Sequence, residues 1–252
     1  MAEVKKGDTI AVWFSSGAAS AVTAHETIKK YGDICNIRII NNPVKEEHDD
    51  NLRFKDDVEN WLDHSIESAI NENYPTCSAV DVWEKRNFMS GPKGAPCTLE
   101  LKKKARQQWE DRNEVDHHVL GFTSDEVSRA ERIMKHELPE LLPVAIEENI
   151  SKQQCFDFLA NSGIKKPEIY KLGFPNANCI GCVKATSPTY WNLVRKHFPD
   201  VFYHRADQSR NIGAKLVRVN NERIYLDKLS KNAKGRPMKN YHIECGIFCE
   251  ES

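Results

Sequence analysis

The 252-residue sequence has no run of 18 apolar residues. A helix crossing a bilayer needs such a run, so no membrane partner is expected. Met1 to Asp8 has no apolar stretch, and reads as neither a signal nor a transit peptide. Internal repeats and low-complexity tracts are also missing, which excludes repeat architectures. Net charge is close to nil, with 36 Lys and Arg against 37 Asp and Glu. Whole-chain charge therefore selects no polyanion or membrane surface. These absences predict a cytoplasmic protein.

What is present defines a soluble, core-forming chain. Hydrophobic residues make up 40 % of it, enough for a buried core. The mean hydropathy of -0.61 leaves ample polar surface. The length fits one large domain, or a domain with a tail. The near-zero net charge hides an asymmetry. Asn41 to Pro75 holds ten Asp/Glu against three Lys/Arg, and Val183 to Ile243 holds thirteen Lys/Arg against four Asp/Glu. The second stretch suits an anionic ligand, a phosphorylated nucleotide or a nucleic acid. A solvated basic face is the alternative.

Strand and helix patterns alternate. Thr9 to Phe14 is a short apolar run and predicts a buried strand. Small residues follow, then a helix over Ala21 to Tyr31 that stops at Gly32. Further strands are expected at Ile34 to Ile40 and Val115 to Phe122. Further helices are expected at Asp56 to Ile70, Glu126 to His136, Lys152 to Ser162 and Tyr190 to His197. Arg223 to Leu226 is strand-like. The order predicts an α/β fold, a mostly parallel sheet with flanking helices. One boundary is drawn near residue 150. Residues 1–150 would form a nucleotide-binding core, and residues 151–252 a cysteine-containing, basic C-terminal flap.

Three features carry candidate chemistry. The first is the loop Ser15-Ser16-Gly17-Ala18-Ala19-Ser20, between a strand and a helix. Small residues let a phosphate approach the backbone, and the helix N-terminus offers N–H groups and a positive dipole end. The second is acidic and basic groups near strand ends. Glu47 sits in Glu46-Glu47-His48-Asp49-Asp50-Asn51, where a carboxylate would reach a ribose hydroxyl or adenine amine. Arg129 and Arg132, three apart on one helix face, suit phosphate or sulfate oxygens. Ser124 or Asp125 would cap that helix.

The third feature is the cysteines, eight in all. In a cytoplasmic chain they point to metal or catalysis rather than to disulfides. Cys97 lies in Pro96-Cys97-Thr98 before Lys102, Lys103 and Lys104, and Cys179-Ile180-Gly181-Cys182 holds two sulfurs close together. Cys245 and Cys249 follow in Glu244-Cys245-Gly246-Ile247-Phe248-Cys249. Converging thiolates suit zinc or an iron–sulfur cluster. A four-cysteine zinc knot of Cys179, Cys182, Cys245 and Cys249 also has suitable spacing. Cys35, Cys77 and Cys155 read as structural thiols.

Ser15 to Ser20 resembles the phosphate loop of the adenine-nucleotide α-hydrolase (PP-loop) superfamily, Ser-Gly-Gly-x-Asp-Ser. Ala19 stands where ATP pyrophosphatases of that superfamily place a magnesium-serving aspartate. The Gly121 to Arg132 segment, the cysteines and the Glu244-Cys245-Gly246-Ile247 tail resemble the phosphoadenosine phosphosulfate (PAPS) reductase family, particularly its bacterial and phage-borne branches. The resemblance covers roughly residues 9–202 and 243–249. It implies a Rossmann-like fold and a sulfonucleotide reductase with a 4Fe–4S cluster. Cys97, Cys179, Cys182 and Cys249 would be ligands, and Cys245 the nucleophile. Ser15, Ser16, Gly17, Ala18, Ser20, Glu47, Lys102, Arg129 and Arg132 would bind the nucleotide.

The resemblance further implies a dithiol reductant such as thioredoxin or glutaredoxin, and a homodimer. Pro96 and Phe248 depart from the family pattern at a cluster cysteine and at a histidine. Two other functions stay open. One is ATP-dependent thiolation of tRNA or DNA. The other is a zinc-stabilised, non-catalytic nucleic-acid-binding protein using the basic C-terminal region.

Overall fold

The computed structural model describes residues 3–92, 94–238 and 243. In chain order its helices are α1 (Ala18–Tyr31), α2 (Asp50–Leu62), α3 (Ala79–Arg86), α4 (Pro96–Thr98), α5 (Ala105–Glu110), α6 (Val127–His136), α7 (Val144–Glu147), α8 (Lys152–Asn161), α9 (Pro188–His197) and α10 (Pro199–Ile212). The strands are β1 (Thr9–Phe14), β2 (Asn36–Asn41), β3 (Ile66–Ser68), β4 (His117–Leu120), β5 (Leu141–Leu142), β6 (Val217–Val219) and β7 (Glu222–Ile224). Two compact units gather separate stretches of chain. One holds residues 1–43, 49–69 and 106–168, and the other holds 44–48, 70–105 and 169–252. The sequence suggested one boundary near residue 150; the units instead interleave along the chain.

The first unit is an α/β fold built on a five-stranded parallel sheet flanked by helices. The strand order is β3-β2-β1-β4-β5, and every pairing is parallel. Ile10 to Phe14 of β1 are buried throughout, as a central strand covered on both faces requires. Chain order runs outward from β1 through β2 on one side and resumes at β4 on the other. The carboxyl ends of β1 and β4 thus flank a topological switch point, where open α/β sheets place ligands.

Two predicted elements differ. The helix expected over Asp56 to Ile70 begins earlier, at Asp50, and ends at Leu62, where Asp63 takes a left-handed φ of 50°. Ile66 to Ser68 then pairs with Ile39 to Asn41. Sheet pairing overrides the helical pattern there, because Ile66 buries against the sheet only when extended. The strand expected over Val115 to Phe122 shortens to β4.

The second unit is built around an apolar cluster that includes Trp83, Tyr190, Trp191 and Phe202. The sequence reading missed its α3 and α10. Pro199 looks like a helix stop after Phe198, but it occupies the first turn of α10, where its missing N–H costs nothing. From Pro96 to Glu110 the chain is helical without a break. Its middle, Leu99–Lys104, is π-helical, a widened turn often found at functional sites.

Candidate functional site

The loop leaving β1 is held in one shape by its own side chains. Ser16 takes a left-handed φ of 54°, strained for a residue with a Cβ. Ser20 Oγ accepts from Ser15 N–H at 3.1 Å and donates to Gly17 O at 3.0 Å. Ser15 Oγ lies 3.2 Å from Ser20 Oγ. Ser16, Gly17, Ala18 and Ser20 are buried, whereas Ser15 is exposed. Gly17 is extended at the N-cap of α1 and gives no side-chain cap. Helix geometry leaves first-turn N–H groups at this end without intrahelical acceptors.

Two neighbours brace the loop. Asn41, at the end of β2, donates Nδ2 to Phe14 O at 2.8 Å and to Ser16 Oγ at 3.4 Å. Sequence reasoning missed this residue; its signal was a polar side chain closing an apolar strand. Gly121, just past β4, approaches still closer. A Cβ there would lie 2.8 Å from both Ser20 Cα and Ser20 N. No side chain fits, so the glycine is what lets the end of β4 back onto the loop.

Arg129 lies beyond β4 on α6. It pairs with Glu126 at 2.7 Å and stands over the Phe122 ring at 5.0 Å. Arg132 is exposed on the same helix. Asp125 does not cap its own helix. Its Oδ2 accepts from Lys152 N–H at 2.8 Å, at the start of α8, while α6 begins only at Val127.

In the second unit the Cys179–Cys182 turn is fastened at each backbone step. Gly181 has φ +68°, a left-handed position that favours glycine. Ile180 N–H donates to Glu46 O at 2.8 Å, and Cys182 N–H to Tyr190 Oη at 2.9 Å. The same hydroxyl donates to Cys179 O at 3.3 Å. Glu46, read from the sequence as part of an acidic ligand loop, spends its carboxylate on α3. It accepts from Ala79 N–H at 2.7 Å, from Val80 N–H at 3.3 Å and from Ser78 Oγ at 2.8 Å. An anion at a helix N-terminus is stabilising there. Glu46→Ala is expected to destabilise the protein by about 1–3 kcal/mol, because buried donors lose a charged acceptor. Urea unfolding measures the loss. Glu47 and Lys102, expected to meet the nucleotide, both belong to this second unit, and Lys102 is buried.

Arg205 lies behind the turn, and the sequence gave no sign of its role. Its guanidinium is 2 % exposed, donates Nε to Gly181 O at 3.3 Å and Nη1 to Gln208 Oε1, and stacks on Trp83 at 4.2 Å. Burial pulls its pKa down, while the charges of Glu46, Cys179, Tyr190 and Cys182 oppose that shift. A buried cation close to two thiols suits their anionic form.

Cys97 is the second residue of α4 and packs with Cys179 against the apolar cluster that contains Cys182. Among the described residues no three His, Cys, Asp or Glu side chains form a group able to hold a metal ion. The described cysteines therefore do not by themselves complete a site for a cluster or zinc. Cys245 and Cys249 lie outside the described residues. The other thiols are inert by environment. Desolvation raises the pKa of Cys35 and Cys77, and pushes Cys155 up to about 11.

No protein-family model and no curated protein sequence matches the chain. Among solved structures it is similar to PAPS reductase from Candida auris in its phosphate complex. That match has 9 % identity and a TM-score of 0.48, and covers 68 % of this chain and 80 % of that one. It is also similar to the U34-tRNA thiolase NcsA from Methanococcus maripaludis with its 4Fe–4S cluster. Here identity is 13 % and the TM-score 0.46, over 83 % of this chain and 73 % of that one. No helix of the described residues is long and apolar enough to cross a membrane.

Proposed function

We propose that this protein binds an adenine nucleotide through Ser15 to Ser20 and performs sulfur chemistry of the sulfonucleotide reductase type. The observation that carries the reading is the preorganised loop at the switch point. It combines a strained Ser16, an α1 N-terminus without a side-chain cap, and a glycine backing it from β4. Such a loop presents N–H groups and a dipole end to a phosphate without reorganising. Arg129 and Arg132 add charge for the anionic end of the nucleotide. Ala19 supplies no magnesium ligand, which favours a nucleotide whose phosphates are held rather than cut.

In this reading the Cys245 thiolate attacks the sulfur of the sulfonucleotide. A sulfur–sulfur bond forms, the sulfur–oxygen bond breaks, and the nucleotide leaves on its phosphate oxygen. A dithiol such as thioredoxin or glutaredoxin then takes the Cys245 sulfur into a mixed disulfide, releases sulfite, and closes to its own disulfide. Cys97, Cys179, Cys182 and Cys249 are the proposed ligands of a 4Fe–4S cluster. The cluster would supply a local charge beside Arg205, and no step above runs through it.

Anaerobic purification followed by iron, zinc and sulfide analysis tests the metal. About four irons and four sulfides per chain are expected, lost in Cys179→Ser. Stoichiometric zinc without sulfide would replace the cluster with a zinc site. Sulfite release from a sulfonucleotide plus dithiol tests the reaction. Pyrophosphate release from ATP with magnesium, and no sulfite, would instead assign ATP-dependent thiolation.

A further inference from the structure

The hairpin of β6 and β7 holds a like-charge pair in register. Arg218 stands directly opposite Arg223, and both are exposed. Directly opposed side chains share one face of a ribbon. The neighbouring pair, Val217 and Ile224, packs with the apolar cluster instead. Like charges directly opposite each other destabilise paired strands, and a two-stranded ribbon is marginal to begin with. A carboxylate at either position would relieve the repulsion. Arg223 instead donates Nη1 to Leu216 O at 2.9 Å. The turn is well made: Asn220 and Asn221 have φ of 47° and 66°, the left-handed pair that tight hairpins require. The ribbon is thus held by its turn and its inner face, while its outer face repels itself.

The surrounding chain extends this field. Lys215, Lys228, Lys231 and Lys234 are exposed as well. Between residues 214 and 238 the carboxylates are Glu222 and Asp227. Asp227 is clasped by Arg210 through Nε at 2.9 Å and Nη2 at 2.8 Å, so its charge is spent locally.

We propose that this ribbon and the loop after it dock on the phosphate backbone of duplex DNA. An anion between Arg218 and Arg223 removes the repulsion that the fold leaves in place. The major groove of B-form DNA, about 12 Å wide, admits a two-stranded ribbon. The major groove of duplex RNA is too deep and narrow for side chains to enter. This binding function goes beyond the sulfur chemistry proposed above and stands independently of it.

The test is titration of the full-length protein into short fluorescent DNA and RNA duplexes over a range of salt. Wild type is expected to bind the DNA duplex more tightly, with affinity falling steeply as salt rises. Arg218→Glu places a carboxylate opposite Arg223. It is expected to lower DNA affinity about tenfold or more at about 0.1 M salt and to flatten the salt slope by about one. Its melting temperature is expected to hold or rise, because an attractive pair replaces a repulsive one. Lys231→Glu with Lys234→Glu, on the loop outside either strand, is expected to weaken binding in the same sense, and it keeps the test intact if the hairpin variant misfolds. Absence of DNA binding by wild type, undiminished binding by the variants, or equal or tighter binding of the RNA duplex would overturn the proposal.

Discussion

Gly121→Ala is expected to weaken adenine-nucleotide binding about a hundredfold, the usual consequence of moving a binding element by about 1 Å. The new methyl group would fall 2.8 Å from Ser20 Cα and Ser20 N. Both are backbone atoms in the first turn of α1, so no side chain can swing aside. Either the end of β4 retreats or the loop shifts. A shifted loop moves Ser20 Oγ away from Ser15 N–H and Gly17 O, the contacts that hold its shape. Overpacking of this kind costs about 1–3 kcal/mol in stability. Calorimetric titration with an adenylyl nucleotide, alongside a thermal melt, separates the two effects. Nucleotide affinity equal to wild type in a folded variant would show that the nucleotide does not rest on this loop.

Acid is expected to remove about 3 kcal/mol of stability through His118 alone, on the scale of pKa shift to free energy. His118 is 5 % exposed, and its Nδ1 accepts from Trp13 Nε1 at 3.0 Å. That bond requires the ring to be unprotonated at Nδ1. Burial lowers its pKa from 6.5 to about 4, with the nearby charges of Arg106 and His117 adding to the shift. Glu110 Oε1 lies 3.5 Å from Nε2, and the other carboxylate oxygen is taken by Arg106, so the carboxylate does not rescue the charged form.

The sign follows from the two states. The unfolded chain binds a proton near pH 6.5 and the folded chain resists it until about 4, so stability is full above 6.5 and drains away as pH falls toward 4. His118→Gln keeps an acceptor but cannot be protonated in this range. Urea unfolding of both proteins across that interval should show a shallower acid loss in the variant. Parallel losses would assign the acid sensitivity to other groups.

Much of the first unit was legible because its signals are local. The apolar run Thr9 to Phe14 is β1 residue for residue, since a central parallel strand needs an unbroken hydrophobic stretch. The small residues after it and the Gly32 stop bracket α1 closely. Lys152 to Asn161 carries its own capping box at Ser151 and Gln154. Other elements depended on partners far away in the chain. β3 is extended because Ile39 to Asn41 pair with it, a constraint that no helical periodicity could reveal. Asp125 had the composition of a cap for the following helix, yet it serves α8, 27 residues on.

The cysteine region divides along the same line. A C-x-x-C with glycine before its second cysteine announces a tight turn, and Gly181 has the left-handed φ that such a turn needs. The supports of that turn are Glu46 O, Tyr190 Oη and the Arg205 guanidinium, none of which has a signature in sequence. The chain's residue types thus specified a parallel α/β fold, a phosphate-type loop and a thiol-rich turn, through short-range rules of burial, capping and φ. Folding alone assigned Asn41 and Gly121 to brace the loop, Glu46 to cap α3, and a buried arginine to stand beside two thiols. Those roles depend on distances between residues remote in the chain, which local patterns do not encode.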